Sequence, residues 1–464
     1  MMRACSPASA ASAKRAGLLT LGLLVSTAGE APLAAQVRPV AIEGATILTG
    51  AGARIERGTL VFQGGKITAV GHAATVPFLT RRIKAEGKYV TPGLIDVSST
   101  LALRHQPDGR PATARAADAF DLYATHELRA AWRAGVTAVY LPAWTANGVG
   151  GLGAIARLAA HARREEVFLR CEADLCVALG ATDQFGTLAR LKSFEELRQQ
   201  FRAARQYRQA WDDYAEALKQ YEQKLAERAR QTATQPTSAP IAASPPETDT
   251  GKEEAEKELQ KPAEPEKNRQ AELLLRVLDG QSRLRVRAER SADILNALEL
   301  ADEFNLALII EGAAGAPAVG DELAARQVPV VLTGPLETVA FAPGARREAQ
   351  AEAAARLARA GATVFFGSGE LAAGEGPNLI ALLTRAAGYG FKPGDGLELL
   401  TGRAADLLGV GQEIGRLEPG KHADVVIWSA DPLSPAAVVE RVFVAGHEVY
   451  QSDNDQHQLI EEQE

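Results

Sequence analysis

The sequence predicts an α/β protein, a (β/α)8 TIM barrel with a small β-sandwich that is built from both chain ends. β-Branched runs separated by glycine-containing turns occupy residues 37–90 and 411–450. Between them, short apolar runs alternate with amphipathic helical segments, as in a parallel sheet with helical crossovers. Without a helical and low-complexity insertion at residues 193–270, the segment 91–410 retains roughly 240 residues, the usual size of such a barrel.

The barrel strands are predicted from short β-branched and aromatic runs. These runs are residues 136–144, 283–289, 306–312, 328–334 and 362–369. Helical patterns lie between them, and Gly135 and Gly361 fall where a helix ends and the next strand begins. Glycine is favoured at that position because a helix C-cap often takes a left-handed conformation.

The composition is that of an ordinary globular protein. Of the 464 residues, 46% are hydrophobic and 23% are charged, and the formal net charge is −7. No basic excess indicates a nucleic-acid-binding surface, so we expect no nucleic-acid partner.

The first 35 residues have the pattern of an export signal. A positive n-region precedes the apolar run of residues 16–29, which is short for a bilayer span. Small residues between Ala31 and Ala35 offer a cleavage site. We therefore expect residues 1–35 to be a signal peptide and the mature chain to be periplasmic or extracellular, with a short membrane anchor as the alternative.

Two cysteines would remain after cleavage, Cys171 and Cys176. On one continuous strand, a spacing of five places them on opposite faces and forbids a disulfide. A turn at residues 172–174 would permit a disulfide in an oxidising compartment. Two buried thiols are the alternative.

A long amphipathic helix is predicted at residues 193–231. Ser193 and Glu196 form a capping-box pattern at its start, and apolar residues recur at three-and-four spacing. This stripe packs either on its own barrel or on a partner protein. Residues 232–268 are rich in Pro, Thr, Ala, Glu and Lys, which predicts a disordered linker, and residues 451–464 form a polar tail.

Two motifs are similar to those of the amidohydrolase superfamily. "YVTPGLID" at residues 89–96 resembles the segment that leads into that superfamily's barrel. "LLTGRAADLLGVGQEIGRLEPGKHADVVIWSADPL" at residues 399–433 resembles its closing segment. Within the superfamily the chain looks most like the imidazolonepropionase- and prolidase-like branch, and the resemblance covers roughly residues 37–192 and 272–450.

The resemblance implies a hydrolase that acts on carbon–nitrogen bonds with zinc or another divalent metal at the barrel mouth. The family's usual ligands are His-x-His after strand one, a carboxylated Lys on strand four, His on strands five and six, and Asp on strand eight. Such ligands hold the metal and leave a position for water, whose pKa the metal lowers. The strand-eight Asp can then take the water's proton.

In this chain every equivalent position carries a different residue. The positions equivalent to the family's ligands are Ser98, Thr100, Cys176, Glu289, Gly312 and Gly369. No histidine lies between His161 and His422, so strands five and six can supply no imidazole in any register. We therefore expect no metal and no other cofactor.

The polar residues near the expected mouth offer limited chemistry. Ser98, Glu289 and Glu370 are the residual catalytic candidates, since a Ser nucleophile needs a base and an oxyanion hole and a Glu pair can exchange protons. An ion pair with a neighbouring arginine is the alternative role for Glu289. The glycine-rich "GVGGLGA" from Gly148 lacks the Lys-Ser/Thr of a phosphate loop and is predicted to be a flexible loop near the mouth.

Three functions follow from these patterns. The first is an exported, non-catalytic subunit or binding protein that forms an oligomer with a related, metal-retaining amidohydrolase. The second is an active hydrolase with a remodelled, metal-independent site. The third is a small-molecule binding protein that uses the old barrel pocket. The missing ligands favour the first, because a fold alone does not establish catalysis.

Overall fold

The computed structural model describes residues 38–103, 114–145, 148–160, 162–179, 187–233, 260–334, 340–341, 345–346, 350–371, 375–392 and 396–452. The predicted signal peptide lies outside the described residues. So do residues 234–259 of the predicted linker and the polar tail beyond Ser452.

The strands are β1 (Val40–Leu48), β2 (Arg54–Gln63), β3 (Lys66–Gly71), β4 (Arg81–Lys84), β5 (Tyr89–Pro92), β6 (Leu94–Asp96), β7 (Val136–Leu141), β8 (Gly148–Leu152), β9 (Ala154–Arg157), β10 (Phe168–Arg170), β11 (Leu175–Leu179), β12 (Leu284–Ala288), β13 (Leu308–Gly312), β14 (Val330–Thr333), β15 (Ala340–Phe341), β16 (Ala345–Arg346), β17 (Val364–Gly367), β18 (Val425–Trp428), β19 (Val439–Val444) and β20 (His447–Gln451). The α-helices are α1 (Thr125–Arg133), α2 (Arg164–Val167), α3 (Thr187–Ala233), α4 (Arg269–Leu278), α5 (Ser291–Phe304), α6 (Gly320–Ala325), α7 (Gln350–Arg359), α8 (Leu379–Gly388) and α9 (Gly402–Leu407).

Strands from both chain ends share one eight-stranded sheet. Its order is β20-β19-β18-β5-β1-β2-β3, and β4 also pairs with β1. The two ends join where β18 runs antiparallel to β5, with Val425 opposite Pro92. The rings of Phe62 and Phe443 meet edge to face at 5.4 Å inside a separate apolar cluster of this sheet. Pro92 therefore leads directly from this sheet into β6, which belongs to the next one.

Two further sheets contain the alternating β/α part of the chain. Their orders are β17-β14-β13-β12-β11-β8 and β10-β9-β7-β6. The pairs from β11 to β17 and the β6–β7 pair are parallel, whereas β8 and β9 run antiparallel to their neighbours. Each of the five runs predicted as buried strands contains a strand, and the predicted α/β class is confirmed.

The glycine-rich segment that begins at Gly148 is not a flexible loop, so that prediction is wrong. It forms β8 and the start of β9. A Cβ added to Gly150 or Gly151 would lie 2.2 Å from a backbone carbonyl oxygen, and one added to Gly153 would lie 2.1 Å from the Tyr140 hydroxyl. Glycine is needed at these positions because neighbouring atoms approach the strand backbone closely, which is a known reason for glycine within a strand.

The long helix α3 has 47 residues and begins before the predicted cap, so Ser193 lies inside it. Its first half packs on this chain, because Leu197, Phe201 and Ala204 are buried and the Phe201 ring lies 5.2 Å from that of Phe304 in α5. No helix among the described residues is both long enough and apolar enough to span a bilayer.

Gly151→Ala is expected to destabilise the protein, by about 1–3 kcal/mol, because the new methyl group would overlap the fixed Ala114 carbonyl oxygen. Gly388→Ala at the end of α8 is the matched control, since nothing lies within 4 Å of an added Cβ there. Urea-induced unfolding of both variants measures the difference. Equal stability of the two variants would contradict the packing explanation.

Candidate functional site

The carboxyl ends of β6, β13 and β17 meet at a buried polar cluster. After β6 the chain continues through Ser98 and Thr100, and Gly369 follows β17. The Gly369 N–H donates to the Ser98 carbonyl at 2.8 Å, and the Thr100 N–H donates to the Gly369 carbonyl at 3.0 Å. Three of the six positions that the resemblance singled out are therefore direct neighbours.

The other three positions belong to the six-stranded sheet that contains β17. Cys176 lies on β11 and Gly312 on β13, and Glu289 directly follows β12. Glu289 touches Gly312, since a Cβ added to Gly312 would lie 2.4 Å from a Glu289 carboxylate oxygen. Cys176 is paired in register with Arg285, four residues before Glu289, and so sits deeper along the strands. Glu289 accepts a hydrogen bond from the Ala314 N–H at 3.3 Å. Its contacts with Gly312 and Ala314 give it a structural role at the end of β12.

Arg285 lies at the centre of the cluster, and its side chain is 0% exposed. Its Nε donates to Glu311 Oε2 at 2.7 Å, and its Nη2 donates to the Val97 carbonyl at 2.6 Å. Its Nη1 lies 3.8 Å from Asp174 Oδ2. The guanidinium also stacks over the Tyr140 ring, with Cζ 3.8 Å from the ring centroid. The cation is thus held by two carboxylates, a carbonyl and an aromatic face.

The charges in this cluster balance. Arg283 forms a two-pronged pair with Asp174, at 2.9 and 3.1 Å, next to the pair of Arg285 with Glu311. Burial acts to lower the pKa of Arg285, but the neighbouring acidic groups, with Glu311 the largest among them, together outweigh it and hold the pKa above the ordinary value. The guanidinium stays charged, and the two carboxylates neutralise the two arginines without solvent.

Ser98 is tied into the same network. Its hydroxyl donates to Glu311 Oε1 at 2.7 Å, so both oxygens of that carboxylate are engaged. Ser98 is buried, and the backbone of Gly367 packs directly against it, because a Cβ added there would lie 2.9 Å from Ser98 Cβ. The Ser98 hydroxyl is thus buried, and the carboxylate next to it, which could act as a base, is already paired with Arg285.

A second buried group surrounds Asp96. Ser368 donates to it through its hydroxyl, at 2.5 Å, and through its N–H, at 3.0 Å, while the Ser98 N–H donates at 3.2 Å. Burial raises the pKa of Asp96 to about 6, although these hydrogen bonds act to lower it. The carboxylate fixes the backbone turn after β6 and joins it to β17.

The three residual catalytic candidates bond to different partners and not to one another: Ser98 to Glu311, Glu289 to the Ala314 N–H, and Glu370 to Arg287. The Glu370 side chain is 71% exposed and pairs with Arg287 Nη1 at 2.7 Å. Arg285 and Asp174 were missed as site residues in the sequence. The signal for Arg285 was present, since "RLRVRAE" alternates arginine with apolar residues in a run predicted to be buried.

Cys176 is a free, buried thiol, so Cys171 and Cys176 do not form a disulfide with each other. Its Sγ lies 3.4 Å from the Tyr140 hydroxyl and accepts the Ala143 N–H at 3.4 Å. Burial raises the pKa of Cys176 to about 12. A thiol binds metal as the thiolate, which this environment disfavours.

The residues at the six positions do not fit a divalent metal. Gly312 and Gly369 bring no side-chain donor, Cys176 is held as a thiol, and the Ser98 hydroxyl is committed to Glu311. The nearby Glu311 carboxylate is already paired with the Arg285 guanidinium, so it is not free to bind a metal. Over the residues that the structure describes, no group of three or more His, Cys, Asp or Glu side chains is arranged to hold a metal ion.

Comparisons with known proteins agree with the two motifs. The amidohydrolase family profile matches residues 295–449. The crystal structure of an amidohydrolase from Thermotoga maritima MSB8 superposes with a TM-score of 0.67 and 25% identity, covering 89% of this chain and 100% of that one. Residues 295–449 therefore match the amidohydrolase family, and the chain has the fold of an amidohydrolase. The resemblance predicted from residues 89–96 and 399–433 is confirmed.

Solved structures of prolidase-like proteins also superpose on this chain. A putative prolidase from Bifidobacterium longum superposes with a TM-score of 0.51 at 18% identity, over 92% of this chain and 99% of that one. A prolidase complexed with N-methylphosphonate-L-proline gives a TM-score of 0.52 at 17% identity, over 89% and 100%. A curated relative, amidohydrolase tasK of Hapsidospora irregularis, is 38% identical over 58 residues, which span 12% of this chain and only 6% of that protein.

Arg285→Met is expected to destabilise the protein by about 3–5 kcal/mol, because it leaves Glu311 buried without its cation. Arg287→Met is the matched control on the same strand. Its partner Glu370 is exposed, so the loss should stay below about 1 kcal/mol. Adding Glu311→Gln to Arg285→Met should recover most of the loss, since no unpaired charge then remains. Urea-induced unfolding decides, and similar losses for Arg285→Met and Arg287→Met would contradict the network.

Asp96→Asn is expected to change how stability depends on pH. The folded pKa of Asp96, about 6, lies above its ordinary value of 3.8, so the folded state binds the proton more tightly. The stabilising contribution is therefore fully present below pH 3.8 and is lost as the pH rises through about 6. Relative to the Asn variant, the wild type should lose up to about 3 kcal/mol across this window. Parallel pH dependences of the two melting temperatures would contradict this assignment.

Proposed function

We propose that this amidohydrolase is an exported, non-catalytic subunit that associates with a related amidohydrolase retaining its metal ligands. The observation that carries the proposal is the buried Arg285–Glu311–Ser98 network, which includes one of the positions that the resemblance makes equivalent to the family's metal ligands. The chain would use no metal or other cofactor of its own. Export rests on the sequence of residues 1–35.

The proposal includes a closed barrel with a β-sandwich beside it. Two contacts support closure. Ser99 and Gly369 form a parallel bridge that links the end of β6 to the end of β17. Gly153 alone separates β8 from β9, so the two sheets that these strands belong to continue into each other. The resulting circle would have one antiparallel member, β8 with β9, among otherwise parallel strands.

A fixed arginine cannot replace the catalytic metal. Metal-dependent hydrolysis needs a cation with an open coordination position, at which water loses its proton near neutral pH. A guanidinium accepts no lone pair from water and stays protonated. In this chain its donors face Glu311 and Val97, and Tyr140 covers its face. The network therefore favours a structural role for the interior.

The distal half of α3 supports an interaction role. Beyond the buried Phe201 and Ala204, the apolar stripe of the helix continues at three-and-four spacing. Its members are Trp211, Tyr214, Leu218, Tyr221 and Leu225. The rings of Trp211 and Tyr214 meet edge to face at 5.9 Å, which preorganises the first part of this surface. Aromatic residues of this kind are enriched at protein interfaces.

The purified mature chain is expected to contain far less than one zinc, manganese or iron per molecule, because the six positions do not fit a metal. It should also fail to hydrolyse acylated amino acids, dipeptides, lactams and lactones. Elemental analysis and a hydrolysis screen measure both properties. One tightly bound metal per chain, with hydrolysis lost on chelation, would overturn the proposal.

The partner is tested by affinity purification from the source organism under non-denaturing conditions. The expected companion is an amidohydrolase that carries His-x-His after its first barrel strand. Trp211→Ala with Tyr214→Ala, at two half-buried aromatic side chains of the stripe, should reduce its recovery, and Tyr389→Ala, at an exposed aromatic side chain outside α3, should not. Recovery of this chain without another protein would contradict the proposal that it is a subunit.

A further inference from the structure

The turn between β3 and β4 presents two adjacent apolar side chains to solvent. Phe78 is 90% exposed and Leu79 is 70% exposed. The turn is nevertheless ordered, since the Thr80 hydroxyl donates to the Pro77 carbonyl at 2.6 Å. Leu79 has a φ of 64°, a left-handed conformation that is rare for a bulky side chain. A strained, exposed leucine adds nothing to the core, and such strain persists most often where a function requires it.

The turn lies beside the start of β1. The Arg81 N–H donates to the Pro39 carbonyl at 2.9 Å, and Val40 pairs in register with Arg81. The apolar run of residues 16–29 ends ten positions before Pro39. Ten residues span at most about 35 Å. A membrane that takes up this run, during export or as an anchor, is therefore within reach of the turn.

Basic side chains flank the apolar tip. Arg81 pairs with Glu448 at 2.8 Å and Arg82 pairs with Glu43 at 2.7 Å, yet both arginine side chains remain about half exposed. Lys84 is exposed on the same strand. Apolar side chains with cations around them suit the boundary between lipid headgroups and acyl chains, where the cations meet anionic phosphates.

We propose that the Phe78–Leu79 turn inserts into the surface of a bilayer that contains anionic lipids. The contact orients the eight-stranded sheet, with β4 and the start of β1, toward the membrane. It is independent of the buried network and of the distal half of α3, because none of their residues takes part. Binding through two side chains is weak and reversible.

The test uses residues 36–464, because the apolar leader would itself partition into lipid. Co-sedimentation is measured with vesicles of phosphatidylcholine alone and with vesicles that also contain phosphatidylglycerol. We expect binding to the anionic vesicles and weaker binding to the neutral ones. Phe78→Ser with Leu79→Ser should lower the bound fraction about tenfold or more, given the apolar surface that is lost.

Tyr123→Ser is the matched control, since Tyr123 is also highly exposed but lies in the turn before α1, and its binding should equal the wild type. Melting curves should be unchanged in all variants, because the replaced side chains lie outside the core. Absence of binding to both vesicles, or undiminished binding by the double serine variant, would overturn the proposal. Equal binding to neutral and anionic vesicles would overturn the anionic requirement.

Discussion

The interior of this protein depends on the buried ion pair between Arg285 and Glu311. Removing both charges from water costs several kcal/mol per ion, so the pair is tolerated only where every donor and lone pair finds a partner. The surrounding chain meets most of that demand from separate strands, although Arg285 Nη1, 3.8 Å from Asp174 Oδ2, makes no hydrogen bond among the described residues. The Val97 carbonyl, after β6, accepts a hydrogen bond from Arg285, and the Ser98 hydroxyl donates one to the second carboxylate oxygen of Glu311. The Tyr140 ring, on β7, covers the guanidinium face. Because these groups come from β6, β7, β12 and β13, the ion pair also fixes how those strands sit against one another.

The replaced positions of the family's metal site are mutually dependent. Gly369 lets the chain after β17 bond to the backbone at Ser98 and Thr100, and its φ of 71° suits glycine. Gly312 leaves room for the Glu289 carboxylate, which a side chain at that position would displace. Restoring one histidine would therefore clash with its neighbours or leave Arg285 and Glu311 unbalanced. The residues at the replaced ligand positions pack against one another, and the charges around them are paired. A single substitution would therefore not restore a metal site.

The sequence predicted those parts of the fold that depend on periodicity. Buried β-branched runs identified the strands, and the two specific motifs indicated the family. Prediction from the sequence was wrong where one residue type can serve two different physical purposes. Gly150, Gly151 and Gly153 suggested flexibility, although they permit close packing in β8 and β9. Ser193 and Glu196 suggested a helix start, although α3 begins at Thr187. The pairing of Arg285 with Glu311 depends on two strands lying side by side in register, which a linear pattern of residues does not contain.

In the function proposed here, this chain acts through its surface and not through its interior. Any ligand that entered beside Ser98 would have to separate Glu311 from Arg285, and the charge left behind would be buried without a partner. Contacts at two surface features need no such rearrangement. The apolar stripe of α3 and the Phe78–Leu79 turn are both presented by ordered backbone, one by a continuous helix and the other by a hydrogen-bonded turn. Contacts at these surfaces therefore require little ordering of the chain, and preorganised surfaces of this kind bind with the smallest loss of conformational entropy.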